Sequence, residues 1–269
     1  MNSEIKKVGI VAGEGALPIL IAQEVKAKGI EVVSIALSDA ISDSLTPYSD
    51  VCQISVGQIG KLIKLLKVKG VTHVVMAGKV NKGVLYKKPK LDLKAIAILA
   101  KLKDRCDDTI LLAIVDEIEK AGMRVVKQSL FLRHLMPDKG LIAGKKPSRV
   151  QEGDIEFGFR YAKEIARLDI GQTVVVKNRA VMAVEAIEGT DEAIKRGAAL
   201  CGEGAVVVKV EKPSQDPRFD LPTIGPSTVR SLVEGKGSLI AIEAGKTLLV
   251  EPEEVISIAQ KGGITIIAV

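Results

Sequence analysis

The stretch QDPRFDLPTIGP, residues 215–226 of this 269-residue chain, has the residue types that most clearly suggest chemistry. It brings Asp216, Arg218 and Asp220 to alternate positions, and its prolines keep the residues before them out of helical angles. Two carboxylates, an arginine and the preceding Lys209 and Lys212 can together bind Mg²⁺ and phosphate. The same residues fit a proline-rich turn whose charges pair with one another, so both interpretations stay open at this point.

Glycine-rich segments follow two predicted strands in the first half of the chain. GEGALP (13–18) follows VGIVA, and GKV (78–80) follows VTHVVMA. Open α/β sheets bind ligands at the carboxyl ends of their strands, and helix N-termini favour anions. The dinucleotide pattern G-x-G-x-x-G is incomplete, because Pro18 stands where the third glycine belongs. A phosphate or sugar contact and a plain tight turn are both compatible with this segment.

Four more segments carry polar residues at predicted strand or helix ends. They are VGQIGK (56–61), DRCDD (104–108), GQTVVV (171–176) and EGTD (188–191), with Glu185 just before the last of them. A short polar residue that begins a helix commonly caps its N–H groups, which is the simpler interpretation of DRCDD and EGTD. In DRCDD, capping accounts for one of Asp107 and Asp108 and explains the second less well, whereas in EGTD either Thr190 or Asp191 can be the cap.

The elements that must position these residues alternate between strand and helix. Apolar runs such as VGIVA and VTHVVMA are typical of buried parallel strands, and amphipathic segments separate them. We therefore predict an α/β fold with an N-terminal Rossmann-like parallel-sheet domain at 1–136. A Pro-, Gly- and Lys-rich stretch at 137–150 is predicted to be a linker. Residues 151–269 are predicted to form a second α/β domain with a mixed sheet.

Composition narrows the classes of function. Aromatic residues make up only 3% of the chain, which disfavours nucleic-acid binding by base stacking. Two histidines are too few for a histidine-rich dinuclear metal centre. Three distant cysteines indicate a reducing compartment, and no apolar run approaches the length of a membrane span. We expect a cytoplasmic protein, whose net charge of +6 also permits attraction to anionic partners.

Several of these segments together resemble one known family, over nearly the whole chain. They include VGIVAGEGALPILIAQEVKAKG, GQIGKLI, VEAIEGTDEAIKR, VVVKVEKPSQDPRFDLPTIGPSTV and GKTLLVEPEEVISIA. The chain is similar to the UDP-2,3-diacylglucosamine pyrophosphatases of the histidine-free, Mg²⁺-dependent type, which serve lipid A biosynthesis. The EGTD and QDPRFDLPTIGP segments carry most of this specificity.

The resemblance implies a two-domain hydrolase with its substrate between the domains. It implies Mg²⁺-dependent cleavage of UDP-2,3-diacylglucosamine to 2,3-diacylglucosamine 1-phosphate (lipid X) and UMP. Asp220 falls at the family's essential aspartate, and Asp216 and Asp220 are the predicted metal ligands. A homodimer that contacts the inner membrane surface peripherally is also expected. The alternative from a different class is a non-catalytic regulator that binds a nucleotide sugar or lipid in the same cleft.

The predicted substrate contacts combine the segments above with the family motifs. They are Gly13, Glu14, Gly15, Leu17, Pro18, Gln58, Lys61, Gly78, Lys79, Val80, Asp107, Asp108, Gln172, Glu188, Gly189, Thr190, Asp191, Lys209, Lys212, Gln215, Arg218 and Thr223.

Overall fold

A computed structural model describes residues 5–80, 90–102, 107–213, 216, 218 and 221–269, with only the backbone of 107 and 108. The chain divides into two compact units. One comprises residues 1–132 together with 217–220, and the other comprises 133–216 together with 221–269. No described helix is both long and apolar enough to cross a membrane.

The N-terminal unit is built around a five-stranded parallel sheet in the order β3-β2-β1-β4-β5. Its elements are β1 (Lys7–Ala12), α1 (Ala16–Ala27), β2 (Glu31–Ala36), α2 (Asp39–Leu45), β3 (Asp50–Gln53), α3 (Ile59–Val68), β4 (His73–Ala77), α4 (Leu93–Lys101), α5 (Asp107–Lys120), β5 (Arg124–Val125) and α6 (Ser129–Leu132). The strand order reverses between β1 and β4, so the loops that follow these two strands meet at the switch point of the sheet.

Aliphatic side chains form the core of this unit, as the apolar runs predict. Ile10 on β1 and Val75 on β4 are fully buried, and α3 turns Leu62 and Leu66 onto the sheet. Burial of such side chains supplies the main stabilisation of a sheet covered by helices. The predicted Rossmann-like parallel sheet is therefore confirmed.

The C-terminal unit contains a six-stranded mixed sheet in the order β6-β13-β11-β9-β7-β8. Its elements are a 3₁₀ turn (Arg133–Leu135), β6 (Gly140–Ala143), α7 (Arg149–Arg167), β7 (Thr173–Lys177), β8 (Ala180–Val184), α8 (Thr190–Cys201), β9 (Val206–Lys209), β10 (Thr223–Ile224), α9 (Pro226–Glu234), β11 (Leu239–Ile242), β12 (Leu248–Leu249), α10 (Pro252–Gly262) and β13 (Thr265–Ala268). Strands β9, β11 and β13 are parallel, whereas β6, β7 and β8 pair antiparallel. The predicted α/β fold with a mixed second sheet is confirmed.

The turn between β7 and β8 is held by a buried carboxylate. Asn178 and Arg179 both adopt left-handed backbone angles, with φ of 51° and 57°. Asp154 on α7 is buried and accepts hydrogen bonds from the backbone N–H of Asn178 (3.1 Å) and of Arg179 (2.6 Å). These bonds satisfy the turn and fix the hairpin against α7.

One segment differs from the interpretation of the sequence in detail. The stretch 137–150, predicted as a linker, contains β6 and the first residues of α7. Gly140 and Leu141 of this strand are exposed at the sheet edge, so it lacks the apolar pattern of a buried strand. Further along the chain, β11 joins the large sheet, whereas β12 pairs with β10 in a separate two-stranded sheet.

Candidate functional site

In the N-terminal unit, the two predicted glycine-rich segments are bonded to each other. The N–H of Gly13 donates to the carbonyl of Ala77 at 2.8 Å. Glu14 and Lys79 exchange two backbone hydrogen bonds, each of 2.8 Å. The loops after β1 and β4 thus form one continuous rim at the switch point of the sheet.

Both segments require glycine at the point where they meet. A Cβ atom on Gly13 would lie 2.6 Å from the carbonyl oxygen of Lys79. Gly78 has φ of 87°, and its Cβ atom would lie 2.6 Å from the carbonyl of Gly13. Close backbone approach therefore explains these two glycines without a ligand. Leu17 and Pro18 lie in the first turn of α1, which begins after Gly15.

An apolar cavity of about 240 Å³ lies beside this rim. It is lined by Val11, Gly13, Leu37, Ile54, Val56, Ile59, Leu62, Met76, Ala77, Gly78, Val80, Ile110, Leu111 and Ile114. Every described lining residue is apolar or glycine, so the cavity favours hydrocarbon over a polar group. Of the predicted contacts, Gly13, Gly78 and Val80 belong to it.

A polar basin adjoins this cavity and shares Leu37, Ile54 and Val56 with it. Its polar lining includes Ser38, Asp39, Gln53, Ser55, Gln58, Lys61 and Lys90. The structure therefore brings two predicted contacts, Gln58 and Lys61, to the edge of the apolar cavity.

The N–H groups at the N-terminus of α3, which the sequence suggests as a binding site for a ligand, donate to the carboxylate of Asp92 instead. One of its carboxylate oxygens accepts from the N–H of Gly60 (2.7 Å) and of Lys61 (3.3 Å). The other oxygen caps α4 by accepting from Ala95 at 2.9 Å. Asp92 directly precedes an apolar helical run, so its capping role was visible in the sequence, but its bond to α3 depends on the fold.

In the C-terminal unit, strand ends bring together a buried polar cluster, which we call the strand-end cluster. It consists of Thr173, Glu185, Thr190 and Lys209. Thr173 on β7 lies directly opposite Lys209 on β9, and the N–H of Glu185 donates to the Thr173 carbonyl at 2.9 Å. Three neighbouring strands and the start of α8 therefore contribute to one site.

Hydrogen bonds connect the charges of the strand-end cluster. The Nζ of Lys209 donates to the hydroxyl of Thr190 at 2.6 Å, and this hydroxyl donates to Oε1 of Glu185 at 2.7 Å. Lys209 and Glu185 are also within 3.9 Å of each other. Their side chains are only 4% and 11% exposed, so both charges need compensation from nearby groups, and each contributes to the compensation of the other.

Gln172 lies next to the strand-end cluster. Its N–H lies 3.4 Å from Oε2 of Glu185, and its carbonyl accepts from the N–H of Val210 at 2.9 Å. Its side-chain amide oxygen is buried and has no hydrogen-bond partner among the residues that the structure describes. Buried acceptors are normally bonded, so this oxygen is a candidate for a ligand contact. Gln172, Thr190 and Lys209 are the predicted contacts that the structure brings together here.

The other members of EGTD point to different partners. Glu188 binds Arg196 at 2.6 Å, and Asp191 accepts from the hydroxyl of Thr228 at 3.0 Å. Hydrogen bonds from its own backbone N–H and from Arg196 lower the pKa of Glu188 below its usual value. Gly189 precedes α8 with φ of 87°.

The base of the segment that contains Asp216 and Arg218 is anchored in the C-terminal unit. Glu243 accepts from the N–H of Glu211 at 2.8 Å and from Lys163 at 2.6 and 2.8 Å. Lys212, a predicted substrate contact, pairs with Asp169 at 2.6 Å. At the far end, the carbonyl of Pro222 accepts from the N–H of Leu248 at 2.8 Å.

Several predictions fall partly or wholly outside the described residues. Asp220 and Gln215 lie outside them, as do the side chains of Asp107 and Asp108. Asp216 and Arg218 are described, and Arg218 lies 3.7 Å from Glu119. The hydroxyl of Thr223 donates to the carbonyl of Leu221 at 3.1 Å. Among the described residues, no group of three or more His, Cys, Asp or Glu side chains could hold a metal ion.

Comparisons with known proteins match both units. The family model of the LpxI N-terminal domain matches residues 7–135, and that of the LpxI C-terminal domain matches 138–267. The UDP-2,3-diacylglucosamine pyrophosphatase LpxI of Caulobacter vibrioides is 33% identical over 276 residues, which cover 98% of each protein.

Solved structures give weaker matches. A putative epimerase from Bacteroides thetaiotaomicron has a TM-score of 0.29 and 17% identity, over 45% of this chain and 44% of that chain. The biotin carboxylase subunit of a pyruvate carboxylase has a TM-score of 0.29 and 12% identity, over 74% of this chain and 42% of that chain. These scores carry no argument about fold or function. The two family models and the full-length relative show that the chain belongs to the LpxI family.

Proposed function

We propose that this chain hydrolyses the diphosphate bond of UDP-2,3-diacylglucosamine and releases 2,3-diacylglucosamine 1-phosphate and UMP. The observation that carries the proposal is its similarity to the Caulobacter pyrophosphatase over 98% of both chains. The sequence also contains the QDPRFDLPTIGP segment, which carries much of the family resemblance. Within the C-terminal unit, the buried ammonium of Lys209 in the strand-end cluster suits a substrate that carries phosphate.

The reaction requires one water molecule and one acidic or basic group that transfers a proton to or from the reacting atoms. The water oxygen forms a bond to one phosphorus, the bridging phosphorus–oxygen bond breaks, and each half leaves as a monophosphate. We assign Asp220 to orient or deprotonate this water, since a carboxylate within hydrogen-bond reach can act as a general base. Arg218 and Lys212 are assigned to the phosphoryl oxygens, whose charge they would offset.

We assign the strand-end cluster a supporting part in this chemistry. Lys209 is 3% exposed and bonded to Thr190, so its ammonium is held in one place. A fixed positive charge in a water-poor environment stabilises developing negative charge better than a solvated lysine does. Gln172 supplies a further acceptor whose hydrogen bond is still available among the described residues.

We propose Mg²⁺ as the metal on the basis of its ligand chemistry. Mg²⁺ prefers oxygen ligands and commonly binds through one or two carboxylates plus substrate phosphate, which matches Asp216 and Asp220. When bound, it would offset charge on the diphosphate and lower the pKa of a bound water. Titration of MgCl₂ into metal-stripped protein, followed by calorimetry with wild type and Asp216→Asn, tests this ligand assignment.

The test of the proposed function is UMP release by Asp220→Ala and by Asp43→Ala, an exposed aspartate on α2. Removal of the base is expected to lower kcat by about 10²-fold or more, while the control keeps wild-type activity. Undiminished UMP release by Asp220→Ala would overturn the assignment of that residue. Substrate that stays bound to the wild-type protein without turnover would favour a non-catalytic lipid-binding regulator instead.

We further propose that the protein acts in the cytoplasm as a homodimer that contacts the inner membrane surface peripherally. The support is the family resemblance and a net charge of +6, which favours anionic lipid. Sedimentation velocity measures the oligomeric state. Co-flotation with vesicles of anionic and of neutral lipid measures the contact with a surface, and equal binding to both would contradict the electrostatic argument.

A further inference from the structure

The hydroxyl of Thr190 lies between the two buried charges of the strand-end cluster. It is 2.6 Å from the Nζ of Lys209 and 2.7 Å from Oε1 of Glu185. An ammonium group carries only donors, an ionised carboxylate carries only acceptors, and a hydroxyl has one proton to donate. Lys209 must therefore donate to Thr190, and Thr190 must donate to Glu185. The single hydroxyl proton of Thr190 is directed at Glu185 and is not donated to a ligand.

Glu185 thereby orients the hydroxyl that holds the ammonium of Lys209. With its proton directed at Glu185, Thr190 presents its lone pairs to the Nζ of Lys209. The hydroxyl of Thr173 is 3.4 Å from the same Nζ, so it forms the weaker of these two contacts. Oε2 of Glu185 is 3.9 Å from Nζ, which is too far for a direct hydrogen bond. Glu185 therefore reaches Lys209 by hydrogen bonds only through Thr190.

Stability does not explain why charged residues stand at these two positions. Lys209 is 3% exposed and Glu185 is 8% exposed. A buried ion pair is commonly no more stabilising than apolar side chains of similar volume. The neighbouring Val174 and Val208 are fully buried, so apolar residues are readily accommodated beside the pair. A fixed ammonium in such surroundings is better suited to stabilise negative charge on a bound group.

The position of Lys209 in the C-terminal unit is also suited to an anion. Lys209 ends β9, and the chain continues from it through Lys212 into the QDPRFDLPTIGP segment. Helix α8 begins at Thr190, beside the ammonium, and the N–H groups that begin a helix favour anions. The ammonium, the helix terminus and the segment with the assigned base therefore follow from the same end of β9.

We propose that Glu185 is a positioning residue for the hydrolysis and that it acts on Lys209 through the hydroxyl of Thr190. The proposal rests on the proposed function, in which Lys209 stabilises charge on the reacting phosphoryl group. Glu185 contacts neither the substrate nor the reacting atoms in this arrangement. Its effect is to hold the ammonium where charge develops, so loss of the link lowers kcat more than it raises KM.

Substitutions of Thr190 separate the hydrogen-bonded link from the packing of the side chain. Thr190→Val removes the hydroxyl and keeps the shape, whereas Thr190→Ser keeps the hydroxyl. Displacement of a catalytic group by about 1 Å costs about 10²-fold in rate, so Thr190→Val is expected to lower kcat for UMP release by about 10²-fold. Thr190→Ser is expected to restore kcat to within about threefold of wild type. A serine variant as slow as the valine variant would overturn the proposal.

A double variant tests whether Glu185 acts through Thr190. Glu185→Gln removes the charge that orients the hydroxyl, and alone it is expected to lower kcat by about tenfold or more. In the Thr190→Val protein the link is already broken, so the same substitution is expected to lower kcat no further. A double variant whose loss equals the product of the two single losses would show that Glu185 acts by another route, which overturns the proposal.

Thr265→Val is the matched control, because it removes a buried threonine hydroxyl from the opposite end of the same sheet. Thr265 begins β13 and is 7% exposed. Its hydroxyl donates to the carbonyl of Lys145 at 3.0 Å and accepts from the N–H of Lys145 at 3.3 Å. The control is expected to keep kcat within about twofold of wild type. A fall in kcat equal to that of Thr190→Val would show a general effect of a lost buried hydroxyl and would overturn the proposal.

Proton–nitrogen correlation spectra of the lysine ammonium groups add a measurement that needs no turnover. The signal of Lys209 is identified by its absence from the Lys209→Arg protein. Burial and hydrogen bonding slow the exchange of protons with water, so this signal is expected in wild type, Thr190→Ser and Thr265→Val. It is expected to broaden or disappear in Thr190→Val. An unchanged signal in Thr190→Val would overturn the link between these residues.

The two measurements distinguish this proposal from the proposed function. Wild-type protein that releases no UMP, with an ammonium signal that depends on Thr190, would contradict the proposed function and leave the link intact. UMP release that Thr190→Val does not slow would overturn the positioning role alone. Circular dichroism identifies a variant that fails to fold, and Thr190→Ala then replaces Thr190→Val with the same expectation.

Discussion

The two regions that carry candidate chemistry differ in what they bury. In the N-terminal unit, the loops after β1 and β4 border a space whose described lining is entirely apolar or glycine. In the C-terminal unit, the strand-end cluster buries a lysine and a glutamate around a threonine hydroxyl. Apolar burial favours folding by itself, whereas a buried charge is tolerated only with its partner.

The two kinds of burial have different physical consequences. An apolar surface favours apolar groups but cannot stabilise charge. A fixed ammonium in a dry environment does the reverse, because its field is strong and its solvation is poor. Under the proposed function, the C-terminal region is the one assigned to phosphate. Variants that affect one region without the other can break or sharpen this comparison.

The largest effect on stability is expected from Lys209→Met. It leaves Glu185 buried without its cation, and loss of one partner of a buried pair costs about 3–5 kcal/mol. Chemical denaturation measures the change in the free energy of unfolding. Lys195→Met is the control, because Lys195 pairs with Glu192 on the surface and its loss is expected to cost less than about 1 kcal/mol.

A double variant sharpens the same point. Lys209→Met combined with Glu185→Leu removes both charges, so most of the lost stability should return. If the double variant is as unstable as the sum of its single variants, the two residues do not compensate each other. That outcome would remove the electrostatic part of the comparison.

The next effect is expected from Gly78→Ala at the rim of the N-terminal cavity. Its φ of 87° disfavours any side chain, and its Cβ would also lie 2.6 Å from the backbone of Gly13. We expect a loss of about 3 kcal/mol, of which backbone strain contributes about 1–2 kcal/mol. Gly29→Ala is the control for strain alone, because φ is 73° and nothing lies within 4 Å of its Cβ. Equal losses in the two variants would show that the contact between the loops contributes nothing.

A smaller effect is expected from Glu243→Gln, which weakens the anchor beneath the segment that leads to Asp216. Its carboxylate binds both Lys163 and the N–H of Glu211, and hydrogen bonds to charged groups contribute about 1.5–3 kcal/mol each before any rearrangement. We expect a stability loss of about 1–2 kcal/mol. We also expect kcat for UMP release to fall, while the preference of the enzyme for substrate chain length changes less. A change in chain-length preference alone would contradict the assignment of the C-terminal region to phosphate.

The smallest effect is expected at Glu188, on the surface of the C-terminal unit. Its own backbone N–H and Arg196 lower the pKa of its carboxyl, so its contribution to stability is present above the usual carboxyl pKa. That contribution is lost as pH falls through the lowered value. Glu188→Gln should therefore melt slightly below wild type at pH 7, and the two melting temperatures should converge in acid. A difference that grows in acid would reverse the sign of this argument.

The sequence predicted the elements better than the contacts between them. Apolar runs such as VGIVA were sufficient to place parallel strands, because buried strands need little else. The turn at Asn178 and Arg179 is held by the carboxylate of Asp154, which comes from a helix about 25 residues earlier in the chain. Local pattern cannot show which residues a fold brings together over such a separation.

The same limit applies to the candidate site. EGTD was predicted as one polar unit, yet only Thr190 joins Lys209, while Glu188 and Asp191 bind residues on α8 and α9. The cavity left no motif at all, since its lining consists of ordinary core residues from several elements. Shape arises from packing, and the sequence alone does not state where packing is incomplete.

The measurement that tests the central claim most directly is ³¹P NMR of purified wild-type protein mixed with UDP-2,3-diacylglucosamine and MgCl₂. The account predicts that the two diphosphate signals decay and that two monophosphate signals, those of UMP and of lipid X, grow in a one-to-one ratio. A diphosphate spectrum that stays unchanged while the substrate remains bound would contradict it.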